Sequence, residues 1–120
     1  MLCGSWATYR NESKRDWLGV PAETIEQHSA VSLETSRHMA RLALERTPEA
    51  TWSVAITGHL GPGAPTELDG CVFVSIWQRD RETLAGVHDG QFKLPNSERS
   101  IRQFQAAFEC LQATLKVVRG

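Results

Sequence analysis

Three short segments carry the residue types that chemistry needs. Tyr9-Arg10-Asn11-Glu12-Ser13-Lys14 runs from an extended stretch into the start of a helix. A lysine in a first helical turn sits against the positive end of the helix dipole, which lowers its pKa. As a neutral amine it can serve as a base, with Tyr9 as a hydrogen-bond donor. A solvated lysine beside a packed tyrosine is the plainer alternative. Thr57-Gly58-His59-Leu60-Gly61-Pro62-Gly63 follows a short apolar run. Glycines at the carboxyl end of a strand let a ligand approach backbone N–H groups, which can hold an anion. No Gly-Lys-Ser/Thr follows, so the segment is not a P-loop, and a turn-rich connection would have the same composition. The third segment is Glu98-Arg99-Ser100-Ile101-Arg102. Two arginines three residues apart share a helix face and can clamp a phosphate, unless both are simply exposed to water.

Other candidates are weaker. His28, His38, His59 and His88 have no metal-like spacing and no supporting cysteine pair, so no metal is expected. His59 is expected to face solvent. No Gly-x-Ser-x-Gly elbow is present. The four tryptophans are scattered and form no platform on which bases could stack.

The elements that must position these segments follow from patterning. Cys3 to Tyr9 reads as a strand, and with no leader before it the reading expects further elements ahead of Met1. Asn11 can cap a short helix ending at Leu18, with Gly19 as its stop. Pro21 suits the start of a second helix, Ala22 to His28. Ser32 caps a third, to about Arg46, with Leu33, Ala40, Ala43 and Leu44 on its inner side. Trp52 to Thr57 reads as a strand buried on both faces. Gly58 to Gly70 is a long glycine- and proline-rich loop, and loops of that kind are often functional. Cys71 to Trp77 is a strand, and the charged run 79–82 turns it back as Thr83 to Lys93. The last helix starts at Asn96 or Ser97. Ile101, Phe104, Phe108, Leu111, Leu115 and Val118 form one apolar stripe along it. At little more than three heptads the stripe is expected to pack on a sheet, with a coiled-coil seam as the alternative. Together these elements predict an α/β layered domain.

Composition sets the outer limits. A chain of 120 residues makes one domain with one real core. Thirteen Lys and Arg against 14 Asp and Glu leave a net charge of −1, which argues against a generic hold on nucleic acid or an anionic membrane. No apolar run approaches the roughly 20 residues of a membrane span, and no secretory signal opens the chain. Three cysteines without a C-x-x-C fit free thiols in a reducing compartment, so a cytoplasmic location is expected.

The run from Gly4 to Val20, Gly-Ser-Trp-Ala-Thr-Tyr-Arg-Asn-Glu-Ser-Lys-Arg-Asp-Trp-Leu-Gly-Val, resembles the CinA C-terminal domain. This competence/damage-inducible protein family includes nicotinamide-nucleotide amidase. Thr24 to Ser32, Ala55 to Gly63 and Glu98 to Arg102 are similar to family stretches in the same order. The resemblance implies a three-layer α/β/α domain around a mixed sheet. It also implies an amidase that converts nicotinamide mononucleotide to nicotinate mononucleotide and ammonia without metal or cofactor. A serine nucleophile helped by a lysine would do the chemistry, and family members often self-associate, so a homo-oligomer is a possible state. By position Lys14 and Tyr9 match the catalytic lysine and its tyrosine. Thr57, Gly58 and Gly61 match the substrate loop, and Arg99 and Arg102 the terminal-helix motif. Family domains extend further at the amino end, where Glu-Ser-Cys-Thr-Gly-Gly carries the nucleophile. That run does not occur in this sequence, so an N-terminally truncated version of the fold is expected. A non-catalytic nucleotide-binding or regulatory protein is the alternative to an amidase. His59, Leu60 and Asp69 depart from the apolar residues of the family pattern.

Overall fold

The computed structural model describes residues 3–5, 7 and 11–120. Tyr9 and Trp6 lie outside the described residues. Of the expected strand at the amino end, residues 3–5 and 7 are outside regular structure. Cys3, Gly4 and Ser5 help line a cavity of about 830 Å³, together with Leu18, Met39 and residues 49–56.

Asn11–Ser13 opens a short helix, α1, and Lys14–Leu18 continues it as one π-helical turn. The wider turn ends at Gly19, whose φ of 84° needs a glycine or a strained substitute. The Lys14 carbonyl closes this end by accepting from the N–H groups of Gly19 and Val20. Helix α2 is Ala22–His28, as the Pro21 signal predicts. Helix α3 is Leu33–Glu45, and Ser32 caps it by accepting from the Thr35 N–H at 3.1 Å. At its other end Arg79 donates to the carbonyls of Leu44 at 2.6 Å and Ala50 at 3.0 Å.

Strand β1 is Trp52–Gly58, β2 is Cys71–Asp80 and β3 is Thr83–Lys93, in the sheet order β1-β2-β3. A two-residue turn at Arg81 and Glu82 joins β2 to β3, with Arg81 at φ 60°. Among the described residues both pairings are antiparallel. The short hairpin allows nothing else for β2 and β3, and the 59–70 loop brings β2 back alongside β1.

The residues of β2 alternate between the faces of the sheet. Val72, Val74 and Ile76 are wholly buried in a core with Leu94, Ala106 and Ala113. On the other face Trp77 joins Leu18, Val20, Met39, Ala40 and Ala55 beneath α3. Ser75, also wholly buried, donates to Asp89, which accepts in turn from Arg37 of α3 at 2.7 and 2.9 Å. The layers are therefore α3, sheet and the terminal helix α4, Arg99–Arg119. Strand β1 is less covered than its sequence suggests, with Ile56 37% exposed. It has one strand neighbour among the described residues, so half of its surroundings are open.

The largest departure is on α4. Ile101, Phe104, Phe108, Leu111, Leu115 and Val118 were expected against the sheet and are instead 47–75% exposed. Arg102, Ala106 and Ala113 face inward, with Cys110 and Val117 partly buried beside them. Both rows have helical spacing. Periodicity marks a face without saying what the face meets, and alanines let the helix backbone approach the sheet closely.

Candidate functional site

The segment between β3 and α4 meets the 59–70 loop and makes a cavity of about 550 Å³. Leu60, Gly61, Gly63 and Asp69 line one side of it; Ser97, Glu98, Arg99 and Arg102 line the other. Its size falls within the range of small-molecule sites.

The loop is held by backbone bonds at its root. His59 N–H donates to Cys71 O at 2.9 Å, and Gly70 N–H donates to His59 O at 2.7 Å. Leu94 N–H donates to Gly70 O at 2.9 Å, tying the end of β3 to the loop. Gly70 has a φ of +82°, and a Cβ there would lie 2.5 Å from the Leu94 carbonyl oxygen. Gly61, at φ +71°, turns its carbonyl toward α4 and accepts from Arg99 Nη1 at 2.6 Å.

The two arginines part company. Arg102 is 2% exposed, and its donors are engaged within the protein. It forms a fork onto Asp69 at 2.7 and 2.8 Å and also donates to Pro95 O and Leu60 O. The paired hydrogen bonds hold the Asp69 carboxyl below the usual carboxylate range and raise the Arg102 guanidinium. Arg102 thus braces the cavity wall where a phosphate clamp was expected. Arg99 is exposed and lines the cavity itself. Glu98 precedes α4 without a side-chain cap, so the positive end of the helix also opens here.

Of the remaining expected residues, Thr57, Gly58 and Lys14 are described and do not line this cavity. Thr57 is buried and donates its hydroxyl to Ala30 O at 3.0 Å, joining β1 to the approach to α3. Gly58 is a packing glycine, since a Cβ would lie 2.9 Å from Val72 Cγ2. Lys14 is 5% exposed on the π-helical turn, and burial pushes its ammonium below the ordinary lysine value. The lowering arises from desolvation, where the sequence suggested the helix dipole. His59, expected to face solvent, is half-buried, and its Nε2 has no hydrogen-bond partner. Asp69 is the cavity-wall residue that residue-type reasoning missed; its one signal was its departure from an apolar pattern.

Among the described residues no group of three His, Cys, Asp or Glu side chains is placed to hold a metal ion. All three cysteines are free thiols. Among the described residues no helix is long and apolar enough to cross a membrane.

Residues 1–115 match the family model of the CinA C-terminal domain. A CinA-like protein from Leptospira borgpetersenii is 36% identical over 105 residues, which cover 86% of this chain and 24% of that protein. A putative competence-damage inducible protein from Halalkalibacterium halodurans is 33% identical over 114 residues, covering 93% of this chain and 26% of the relative. The chain therefore spans about a quarter of the length of these curated relatives. Among solved structures, the competence/damage inducible protein CihA from Agrobacterium tumefaciens is similar at a TM-score of 0.80 and 30% identity. That match covers 92% of this chain and 65% of the other.

Proposed function

Because the chain belongs to the CinA C-terminal domain family, we propose that its cavity at the start of α4 binds a pyridine mononucleotide, with the phosphate on Arg99. The observation that carries this reading is the convergence of Arg99, the uncapped helix end and the glycine loop on one cavity of about 550 Å³. Arg99 supplies charge-assisted donors, and the helix end favours an anion. Arg102 acts at one remove by holding Asp69, Leu60 and Pro95 in place.

The amidase chemistry implied by the resemblance gives Lys14 a defined part. Burial lowers its pKa, so the neutral amine needed to accept a serine proton is easier to reach. The serine would attack the carboxamide carbon, and the resulting oxyanion would need backbone N–H donors. The sequence contains no Glu-Ser-Cys-Thr-Gly-Gly run. A protein that binds the nucleotide without hydrolysing it is the second reading, and it rests on the same cavity.

Calorimetry with nicotinamide mononucleotide, paired with an ammonia-release assay, tests both readings. Binding is expected to weaken about 10- to 100-fold in Arg99→Ala, the loss of one charge-assisted contact. The riboside, which lacks phosphate, is expected to bind parent and variant alike. Equal affinity of parent and variant for the mononucleotide removes Arg99 from the site. Ammonia release by the 120 residues alone is expected at background, and turnover abolished by Lys14→Ala would restore the amidase reading.

A further inference from the structure

We infer that Asp69 restricts the cavity at the start of α4 to ligands with a single phosphate. It does so by neutralising Arg102 and turning a carboxylate toward the place a second phosphate would take. The inference rests on the mononucleotide reading of this cavity and concerns which phosphate compounds it accepts. Four charged side chains line the cavity, Arg99 and Arg102 against Asp69 and Glu98, so the charges of its wall balance. Asp69 and Arg102 are unequally open. The Asp69 side chain is 33% exposed and that of Arg102 only 3%, so a ligand meets the carboxylate while the guanidinium stays covered.

The fork itself has the shape of an anion site already filled. Asp69 Oδ1 accepts from Arg102 Nη1 at 2.7 Å and Oδ2 accepts from Nη2 at 2.8 Å. Arginine takes a phosphate with the same paired donors, so the carboxylate holds the place of an external anion. Gly61 shows how near the two cations stand. Its carbonyl accepts from Arg99 Nη1 at 2.6 Å, and a Cβ built on it would lie 3.5 Å from Arg102 Nη1. The same Cβ would lie 3.3 Å from Asp69 Oδ1. Arg99 and Arg102 thus flank one residue, a spacing that suits two linked phosphates, and Asp69 cancels one of the pair. A phosphate on Arg99 meets donors. A second phosphate toward Arg102 meets a like charge, because the fork keeps Asp69 ionised at neutral pH. Size does not supply this exclusion, since about 550 Å³ leaves room for ligands larger than a mononucleotide. Bracing does not account for the charge either. Arg102 already donates to the carbonyls of Pro95 at 3.0 Å and Leu60 at 3.3 Å, and neutral acceptors suffice to hold it.

Calorimetry on the full chain with inorganic phosphate and inorganic pyrophosphate as probes tests this selectivity. The parent is expected to bind pyrophosphate no more tightly than phosphate, despite the greater charge of pyrophosphate. Asp69→Asn keeps the shape of the side chain and removes its charge. It is expected to tighten pyrophosphate relative to phosphate by at least about tenfold, the gain of one charge-assisted contact. Adding Arg102→Gln removes the freed cation while keeping a polar pair, and this double variant is expected to lose the gain. A parent that prefers pyrophosphate overturns the inference, and that result needs no variant to fold. An unchanged ratio in Asp69→Asn, with the circular dichroism of the parent, also overturns it. So does a gain that survives in the double variant, because Arg102 would then not be its source. Failure of the mononucleotide reading is distinguishable, since it appears as an affinity for nicotinamide mononucleotide indifferent to Arg99→Ala, whereas these ratios use probes without a nucleoside.

Discussion

Replacing Gly70 with alanine separates two costs that the structure places at one position. The residue has a φ of +82°, and Gly63 in the same loop has a similar φ of +90°. An L side chain in this left-handed region costs about 1–2 kcal/mol at either site. The surroundings differ. A Cβ at Gly63 would meet nothing within 4 Å, whereas at Gly70 it would lie 2.5 Å from Leu94 O and 3.3 Å from Arg102 Nη2. Relief of that contact requires backbone movement, since the closest atom belongs to the main chain. The movement strains the 2.9 Å bond from Leu94 N–H to Gly70 O. Overpacking of this kind adds about 1–3 kcal/mol. Gly63→Ala should therefore lose about 1–2 kcal/mol and Gly70→Ala about 2–5 kcal/mol. In a domain of this size the gap corresponds to a difference in Tm on the order of 10 °C. Urea titrations and thermal melts of the two variants check the difference. Equal losses would refute the contact argument, because only the shared backbone penalty would then remain.

Three further outcomes follow from other parts of the molecule. Burial lowers the Lys14 pKa, so the unfolded chain binds this proton more tightly than the folded one. Stability should rise with pH between the lowered value and the ordinary lysine value, and Lys14→Met should flatten that rise in alkaline urea titrations. Arg79→Met removes donors to Leu44 O and Ala50 O, and denaturant melts should show a loss of about 2–3 kcal/mol. Ser32→Ala should cost about 1 kcal/mol through the lost cap on α3, measured in the same way.

The elements with local signals were legible in the sequence. Pro21 and Ser32 mark helix starts that the structure places within a residue. The charged run around Arg81 marks the hairpin, because a two-residue turn leaves its flanking strands one way to pair. Long-range facts were not legible. Arg102 and Arg99 look alike in sequence, and only the fold brings Asp69, 33 residues away, into a fork with one of them. The stripe on α4 was seen, but its direction was not, because the sheet selected the row of small residues instead. The π-helical turn at Lys14 adds a residue to the turn and carries no sequence mark of its own. The site was therefore legible as a set of segments, with the division of labour inside it set by tertiary contacts.

The Arg102 fork has a consequence for motion. One guanidinium holds Leu60, Asp69 and Pro95, which belong to both ends of the 59–70 loop and to the segment entering α4. Neither end of the loop can lift while the other stays bonded, so opening becomes all-or-none in place of gradual fraying. Amide hydrogens at the loop root, those of His59, Gly70 and Leu94, would then exchange with solvent at one common opening free energy. A ligand in the adjoining cavity would protect all three together.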